Sequence, residues 1–381
     1  MRLREASPCC GERIRAAAPL LRYNRPMPAT PALARQRAAL ARSLRDGLEA
    51  RGYLEVETPI AVPVAGQEPH LRPFETTFTP DLPVPPGGVS AARRLHLHTS
   101  PEYAMKRLLA RGGFDRIYQL ARVFRDGEVS PTHNPEFSLL EFYAAPGDAA
   151  LLMQHLEQLL EEAAVRLRSS ATAPARSERG RTRTQLDLSA PYERLPCREA
   201  FLRHAGFDPL PLDGEALAQA ARACGVRVAS GSSWDDGFTQ VMIDLVEPAL
   251  GQGRPVFLTD YPASQAALSR LKPGDPRVAE RFELYAGGLE LCNGFTELTD
   301  AREQRARFEE EQRQRQRLGR DVFPLDEPFL AALSQMPAAG GVAVGFDRVL
   351  MLLTGARTIA EVLLFPAAEE YPHARAPGCA P

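Results

Sequence analysis

The sequence predicts an α+β fold, with a central antiparallel β-sheet flanked by helices. Long alternating strands come in pairs, across a polar loop at 124–136 and across Gly287-Gly288, and amphipathic helical stretches lie beside those pairs. With 44% hydrophobic residues in 381, the chain can bury a sizeable core as one large domain or two ordinary ones.

The elements follow in order. Residues 31–51, PALARQRAALARSLRDGLEAR, repeat apolar side chains at helical spacing and stop at Gly52. YLEVETPI alternates and closes at Pro59, which reads as a strand. Residues 61–90 are rich in Pro and Gly and predict a long excursion with one short strand at RPFETTF. RRLHLHTS alternates again, and PEYAMKRLLARG opens a short helix at Pro101, a favoured first-turn proline. IYQLARVFRDGE and EFSLLEFYAA are two strands, followed by an amphipathic helix over GDAALLMQHLEQLLEEAAVRLRSS. Residues 169–185 are basic and low in complexity, predicting a mobile insertion. A small α/β segment runs to about residue 250, and RPVFLTDYP is a strand. RFELYAGGLELCNGFTEL is a hairpin. Asp300 and Glu303 form a capping-box pattern at the head of a charged helix ending near Gly319. Its Glu303–Arg307, Glu309–Arg313 and Glu311–Arg315 spacings predict a solvated face of i,i+4 pairs. GGVAVGFDRVLMLLTG runs from strand into helix at Gly345. Residues 1–30 read as a disordered leader or a misassigned start, with Met27 as the alternative, and residues 367–381 as a disordered tail.

The net charge of −2 leaves no overall electrostatic footprint for nucleic acid. Nearly every cation is arginine; the only lysines are Lys106 and Lys272, which read as composition without functional weight. Cys9, Cys10, Cys197, Cys224, Cys292 and Cys379 show neither C-x-x-C spacing nor a zinc-type His partner, so free thiols in a reducing cytoplasm are expected. No apolar run approaches the roughly 20 residues of a membrane helix, so no membrane association is expected.

The chemistry-bearing residues sit inside the strands. Period-2 geometry puts Phe137, Leu139, Glu141 and Tyr143 on one face, and Asn293, Phe295 and Glu297 on one face of theirs. An unpaired buried carboxylate costs several kcal/mol, so these acids need a metal, an arginine or an amine ligand. Glu141 and Glu297, with Tyr143 and Asn293, would form a socket for an ammonium group, though acids at a sheet edge also read as solvated. Glu283 and Glu290 stand on opposite arms of the glycine hairpin; either they share a hard cation such as Mg²⁺ or the hairpin is solvated. Arg125 at the end of a strand and Arg348 at a strand-to-helix junction suit bidentate phosphate recognition. Arg348 has a plainer reading, as a partner for Asp347 or a helix-terminal charge.

The order helix, strand and Pro59, then FRDGE…HNPEF, then GVAVGFDR resembles motifs 1, 2 and 3 of the class II aminoacyl-tRNA synthetases. TSPEYAMKRLL, HNPEFSLLEFY and LELCNGFTELTDAREQ are similar to the lysyl branch, and the resemblance covers residues 31–366 as one catalytic domain. Only about 30 unpatterned residues precede the first helix, so the anticodon-reading module of that branch is not expected. The chain thus resembles the free-standing paralogues that use ATP to join (R)-β-lysine to a lysine of elongation factor P. Ser100 and Ala343, where the tRNA enzymes have alanine and glycine, fit a pocket reshaped for an amino group on the β carbon.

That resemblance implies roles for named residues. Ser100, Pro101 and Glu102 line the amino-acid site, and Glu102 receives the ammonium nearer the carboxyl. Glu141, Tyr143, Asn293 and Glu297 hold the distal ammonium. Arg125 grips the α-phosphate and Arg348 the γ-phosphate of ATP. His133, Asn134 and Phe137 shape the nucleotide site, with Phe137 stacking on adenine. Glu290, Leu291 and Gly345 border ATP, and Glu283 and Glu290 hold Mg²⁺. Asp126, Gly127 and Glu128 complete the ATP set. Gly127 departs from the family, which has a glutamate there; Glu128 is the substitute. The implied partners are lysine or β-lysine, elongation factor P and a second copy of the chain as a homodimer, with no tRNA and a cytoplasmic location. The alternatives are a truncated lysine-activating tRNA enzyme, an amide-forming synthetase, and a non-catalytic ATP-binding regulator.

Overall fold

The computed structural model describes residues 30–80, 92–169, 186–229 and 231–371. The expected leader, the expected insertion beyond Ser169 and the tail beyond Tyr371 lie outside the described residues.

Helix α1 (Pro31–Ala50) starts where Thr30 accepts from the Leu33 amide and Pro31 fills the first turn. Its i,i+4 stripe of Leu40, Leu44 and Leu48 is buried. The expected strand after it is only β1 (Leu54–Glu55). The Pro/Gly excursion holds β2 (Ala61–Val62) as well as β3 (Glu75–Phe78), and both pair with β4 (Arg93–Leu97) in a small second sheet. Helix α2 (Glu102–Ala110) has Pro101 as its N-cap, one position earlier than expected. Strands β5 (Arg116–Phe124) and β6 (Glu136–Ala144) pair along their full length. Helix α3 (Ala149–Ser169) packs on α1. The small segment is β7 (Glu193–Pro196), α4 (Cys197–His204), α5 (Gly214–Ala223) and α6 (Trp234–Val241), with its own core around Phe201 and Phe238.

Strands β8 (Val256–Pro262), β9 (Leu271–Lys272), β10 (Asp275–Ala286) and β11 (Leu289–Thr296) follow, then α7 (Ala301–Arg317) and α8 (Glu327–Leu333). Strand β12 (Gly340–Gly345) leads directly into α9 (Phe346–Thr354). Residues 367–370, expected to be disordered, form a short helix α10 (Ala367–Glu370). The nine-stranded sheet runs β1-β5-β6-β12-β11-β10-β8-β7, with β9 on β10. Its centre is antiparallel as expected, but β1 on β5 and β7 on β8 are parallel, so the sheet is mixed.

Period 2 then divides the central strands. Leu140, Phe142 and Ala144 of β6, with Val342 and Val344 of β12, face the core under α1, α3 and α9. Leu139, Glu141 and Tyr143, with Gly341 and Ala343, face the other way, into a cleft.

Helix α7 corrects two expected pairs. Glu303 does pair with Arg307, but Arg313 takes Glu310. Arg315 is no surface partner of Glu311: it is buried, stacks on Phe323 and donates to the carbonyls of Glu68, Leu71 and Asp321. A helix face read as solvated therefore pins the loop that follows β2.

Candidate active site

One cleft of about 380 Å³ lies over the sheet face that carries the strand acids. The pairing register builds it. Ala343 of β12 sits opposite Glu141 of β6 on one side and Asn293 of β11 on the other. Gly345 sits opposite Leu139.

The amino-acid end is acidic. Glu141 is fully buried and accepts from Ser100 Oγ at 2.5 Å and Tyr143 Oη at 2.8 Å. Burial, and then the charge of Glu102, push its carboxyl up to about 8, against the pull of those two hydroxyls. Ser100 also accepts from the Glu102 amide at the start of α2. Pro101, expected to line this site, turns away from it: it is buried behind the cleft as the helix cap.

The largest correction is Lys106. Its ammonium is buried between Glu102, at 2.6 Å, and Glu297, at 2.5 Å. Burial pulls its pKa down, and the two carboxylates more than restore it, so it stays charged. The two acids expected to receive the two ends of a ligand thus share one internal cation. Glu297 does not line the cleft; it stands behind Gly341 and Tyr143. A Cβ on Gly341 would come within 2.2 Å of Glu297 Oε1, so only glycine leaves that carboxylate its place. The signal in the sequence was the i,i+4 spacing of Glu102 and Lys106.

The phosphate end is basic. The Arg125 guanidinium lies 5.1 Å from the centre of the Phe137 ring, with Glu128 at 3.8 Å. Phe137 lines the cleft, with Arg125 over its ring. Arg348 is held by the Glu290 carbonyl at 2.9 Å, the Glu290 carboxylate at 3.1 Å and His133 Nε2 at 2.8 Å. Burial, and then Arg348 itself, lower the His133 pKa, so the ring is neutral. Its Nε2 accepts from Arg348, and its Nδ1–H donates to Ser130 Oγ at 2.7 Å. The reading of Arg348 as a partner for Asp347 fails: Asp347 takes Arg37 at 2.5 Å and the Ser138 amide instead.

Asn134 reaches the cleft wall, but both ends of its amide are committed, to the Glu136 carbonyl and the Ala367 amide. It therefore holds the loop between β5 and β6 in place. Asp126 and Gly127 fall outside the cleft, in a neighbouring groove where Asp126 pairs with Arg72 at 2.6 Å. Glu128 is the acid of that turn which lines the cleft.

The two expected metal ligands differ. Glu283 lies opposite Asn293, and Glu290 opposite Tyr285, so the acids are offset along the hairpin. Glu283 already accepts from Arg281, Tyr261 Oη and Tyr285 Oη. Three donors on about four acceptor positions, one of them cationic, leave Glu283 poorly suited to a cation. Glu290 is half-exposed beside Leu291, with Arg348 alone among the described residues on its carboxylate, and fits one. Arg281, two residues from Glu283 on β10, also lines the cleft and donates to Asn293 Oδ1 at 3.0 Å, so that amide is oriented from the neighbouring strand. Among the described residues no group of three or more His, Cys, Asp or Glu side chains is arranged for a metal. The described cysteines, Cys197, Cys224 and Cys292, are free.

Comparison with known proteins agrees with this geometry. The family described as tRNA synthetases class II (D, K and N) matches residues 12–369. The chain is 41% identical over 334 residues to a protein of Proteus mirabilis named elongation factor P–(R)-β-lysine ligase, covering 87% of this chain and 94% of that one. Proteins of the same name from Klebsiella pneumoniae and Salmonella typhi are each 41% identical over 333 residues, covering 87% of this chain and 93% of theirs. A match along nearly the whole chain, on a sheet that brings the motif arginines and acids into one cleft, means that this chain belongs to the class II tRNA synthetases of the D, K and N type.

Proposed function

We propose that the chain activates (R)-β-lysine with ATP as an acyl-adenylate and transfers it to the ε-amine of a lysine on elongation factor P in the cytoplasm. The observation that carries this reading is the polarity of the cleft. Glu102 and Glu141 lie at the amino-acid end, and Arg125 and Arg348, each with one acid beside it, at the other, which suits a ligand with ammonium groups on one side of its reacting carboxylate and phosphates on the other. The names of the 41%-identical relatives point to the same substrate and acceptor.

In the first step the substrate carboxylate attacks the α-phosphorus and pyrophosphate leaves. No side-chain nucleophile is required, because the substrate supplies it. Arg125 neutralises charge on the α-phosphate, and Arg348, set by His133 and Glu290, does so further along the chain of phosphates. Glu290 would hold Mg²⁺, which supplies further phosphate neutralisation when bound. Glu128 faces the nucleotide from the turn after β5. Ala343, between Glu141 and Asn293, narrows the amino-acid end by one methyl relative to glycine. In the second step the acceptor amine attacks the adenylate carbonyl and AMP leaves.

The test is ATP–pyrophosphate exchange with α-lysine and (R)-β-lysine side by side, then the mass of elongation factor P after incubation. Faster exchange with β-lysine and a gain of one β-lysyl group are expected. Charging of tRNA without modification of elongation factor P would refute the reading.

A further inference from the structure

Lys106 stands one helical turn beyond Glu102 on α2 and does not line the cleft. Its side chain is buried, and Nζ reaches one Glu102 oxygen, Oε1, at 2.6 Å and Glu297 Oε2 at 2.5 Å. The Phe295 ring, itself part of the cleft wall, has its centre 5.7 Å from that Nζ. Glu102 does line the cleft. The ammonium therefore grips, from behind, an acid that a ligand can meet.

Stability alone does not call for this arrangement. Three sealed charges cost desolvation, and replacing a buried ion pair by apolar side chains is often neutral or stabilising. Met105 and Leu109 show that α2 otherwise fills its buried side with apolar groups. The ammonium adds something apolar packing cannot: a Glu102 carboxylate whose charge is balanced from behind and whose position is fixed. Glu102 shares the amino-acid end with buried Glu141, and the two like charges repel. A cation behind Glu102 offsets that repulsion. Lys106 engages Oε1 alone, so the carboxylate keeps a second oxygen for a ligand. The head of the helix is tied as well. The Glu102 amide donates to Ser100 Oγ at 3.0 Å, and Ser100 donates to Glu141 at 2.5 Å.

We infer that Lys106 is a positioning residue of the activation step, which acts through Glu102 by holding that carboxylate in place for the ammonium nearer the reacting carboxyl of a diamino acid. This rests on the proposed activation of lysine or β-lysine.

The experiment is a double-mutant cycle in the full chain: Lys106→Met, Glu102→Gln and the two together. Each is read by ATP–pyrophosphate exchange, with whichever of α-lysine and (R)-β-lysine the parent activates better. Each single change should raise KM for the diamino acid by about tenfold or more, with kcat and KM for ATP within about threefold of the parent. With Glu102 already changed, Lys106 has nothing left to position. The double variant should therefore match Glu102→Gln in KM to within about twofold, whereas independent effects would multiply. An unchanged KM for the diamino acid in either single variant, or a further rise in the double variant, overturns the inference. So does a loss of kcat and of ATP binding in step with the diamino acid, the mark of a merely structural ammonium. If Lys106→Met does not fold, Lys106→Gln, which is shorter and uncharged, takes its place in the cycle and is read against the same criteria. A parent chain that exchanges with neither lysine refutes the proposed function instead, which keeps the two failures distinct.

Discussion

At the scale of single residues, the cleft is a set of charges whose partners can be named. Arg125→Ala should abolish adenylate formation, because no other described guanidinium sits at that end over Phe137; pyrophosphate exchange that survives the change would remove Arg125 from the phosphate site. Glu141 gives a pH signature. Its carboxyl, raised to about 8, still holds a proton below that pH, whereas an ammonium ligand needs the ionised form. KM for the amino acid should therefore fall as pH rises towards 8 and level off above it, a slope that Glu141→Gln removes. The folded state binds this proton more tightly than the unfolded one. Stability attached to Glu141 thus declines from the ordinary carboxylate range up to about 8, and Glu141→Gln should raise the melting temperature at pH 8 and above. Strand alternation put Glu141 and Tyr143 on one face of their strand, and Asn293 on one face of its own with Glu297. Lys106 and Arg281 were not read as site residues. The sequence shows Lys106 only its i,i+4 neighbour Glu102; its second partner, Glu297, is set by tertiary packing. Arg281 reaches Asn293 from an adjacent strand.

At the scale of elements, β12 is the decisive strand. Its register puts Gly341, Ala343 and Gly345 on the wall of the cleft and Val342 and Val344 in the core. Gly341→Ala would drive a methyl against Glu297 Oε1 at 2.2 Å and Tyr143 Cε1 at 2.3 Å. A loss of about 1–3 kcal/mol in denaturant unfolding is expected, with a raised KM for the amino acid. A fully stable variant with unaltered KM would mean that the strand has slack at this point. Most elements were legible: β5, β6, β10 and β11 stand where alternation and the glycine hairpin put them. The two parallel edges were not, because strand direction at a sheet margin depends on long connections and leaves no local pattern. Arg315 was misread for a related reason. A helix of alternating charges looks solvated until the buried loop it serves is known.

At the scale of the whole molecule, the sheet ends at β1, where Leu54 is 57% exposed and Ile60 lies exposed just beyond it. A second copy of the chain is the proposed cover for this edge. Leu54→Glu should shift the chain towards monomer in sedimentation at micromolar concentration, and an unshifted dimer would place the contact elsewhere. Among the described residues no helix is long and apolar enough to cross a membrane. The lysine inventory takes on a different meaning at this scale. An enzyme that makes reactive lysyl adenylates and delivers them to amines is exposed to acylation by its own product. This chain carries just two side-chain amines, Lys106 sealed between carboxylates and Lys272 tied to Asp260 at 2.6 Å. On the proposed activity, an escaping adenylate would meet a surface whose cations are almost all guanidinium groups, which are poor nucleophiles, with Lys272 the one exposed lysine amine.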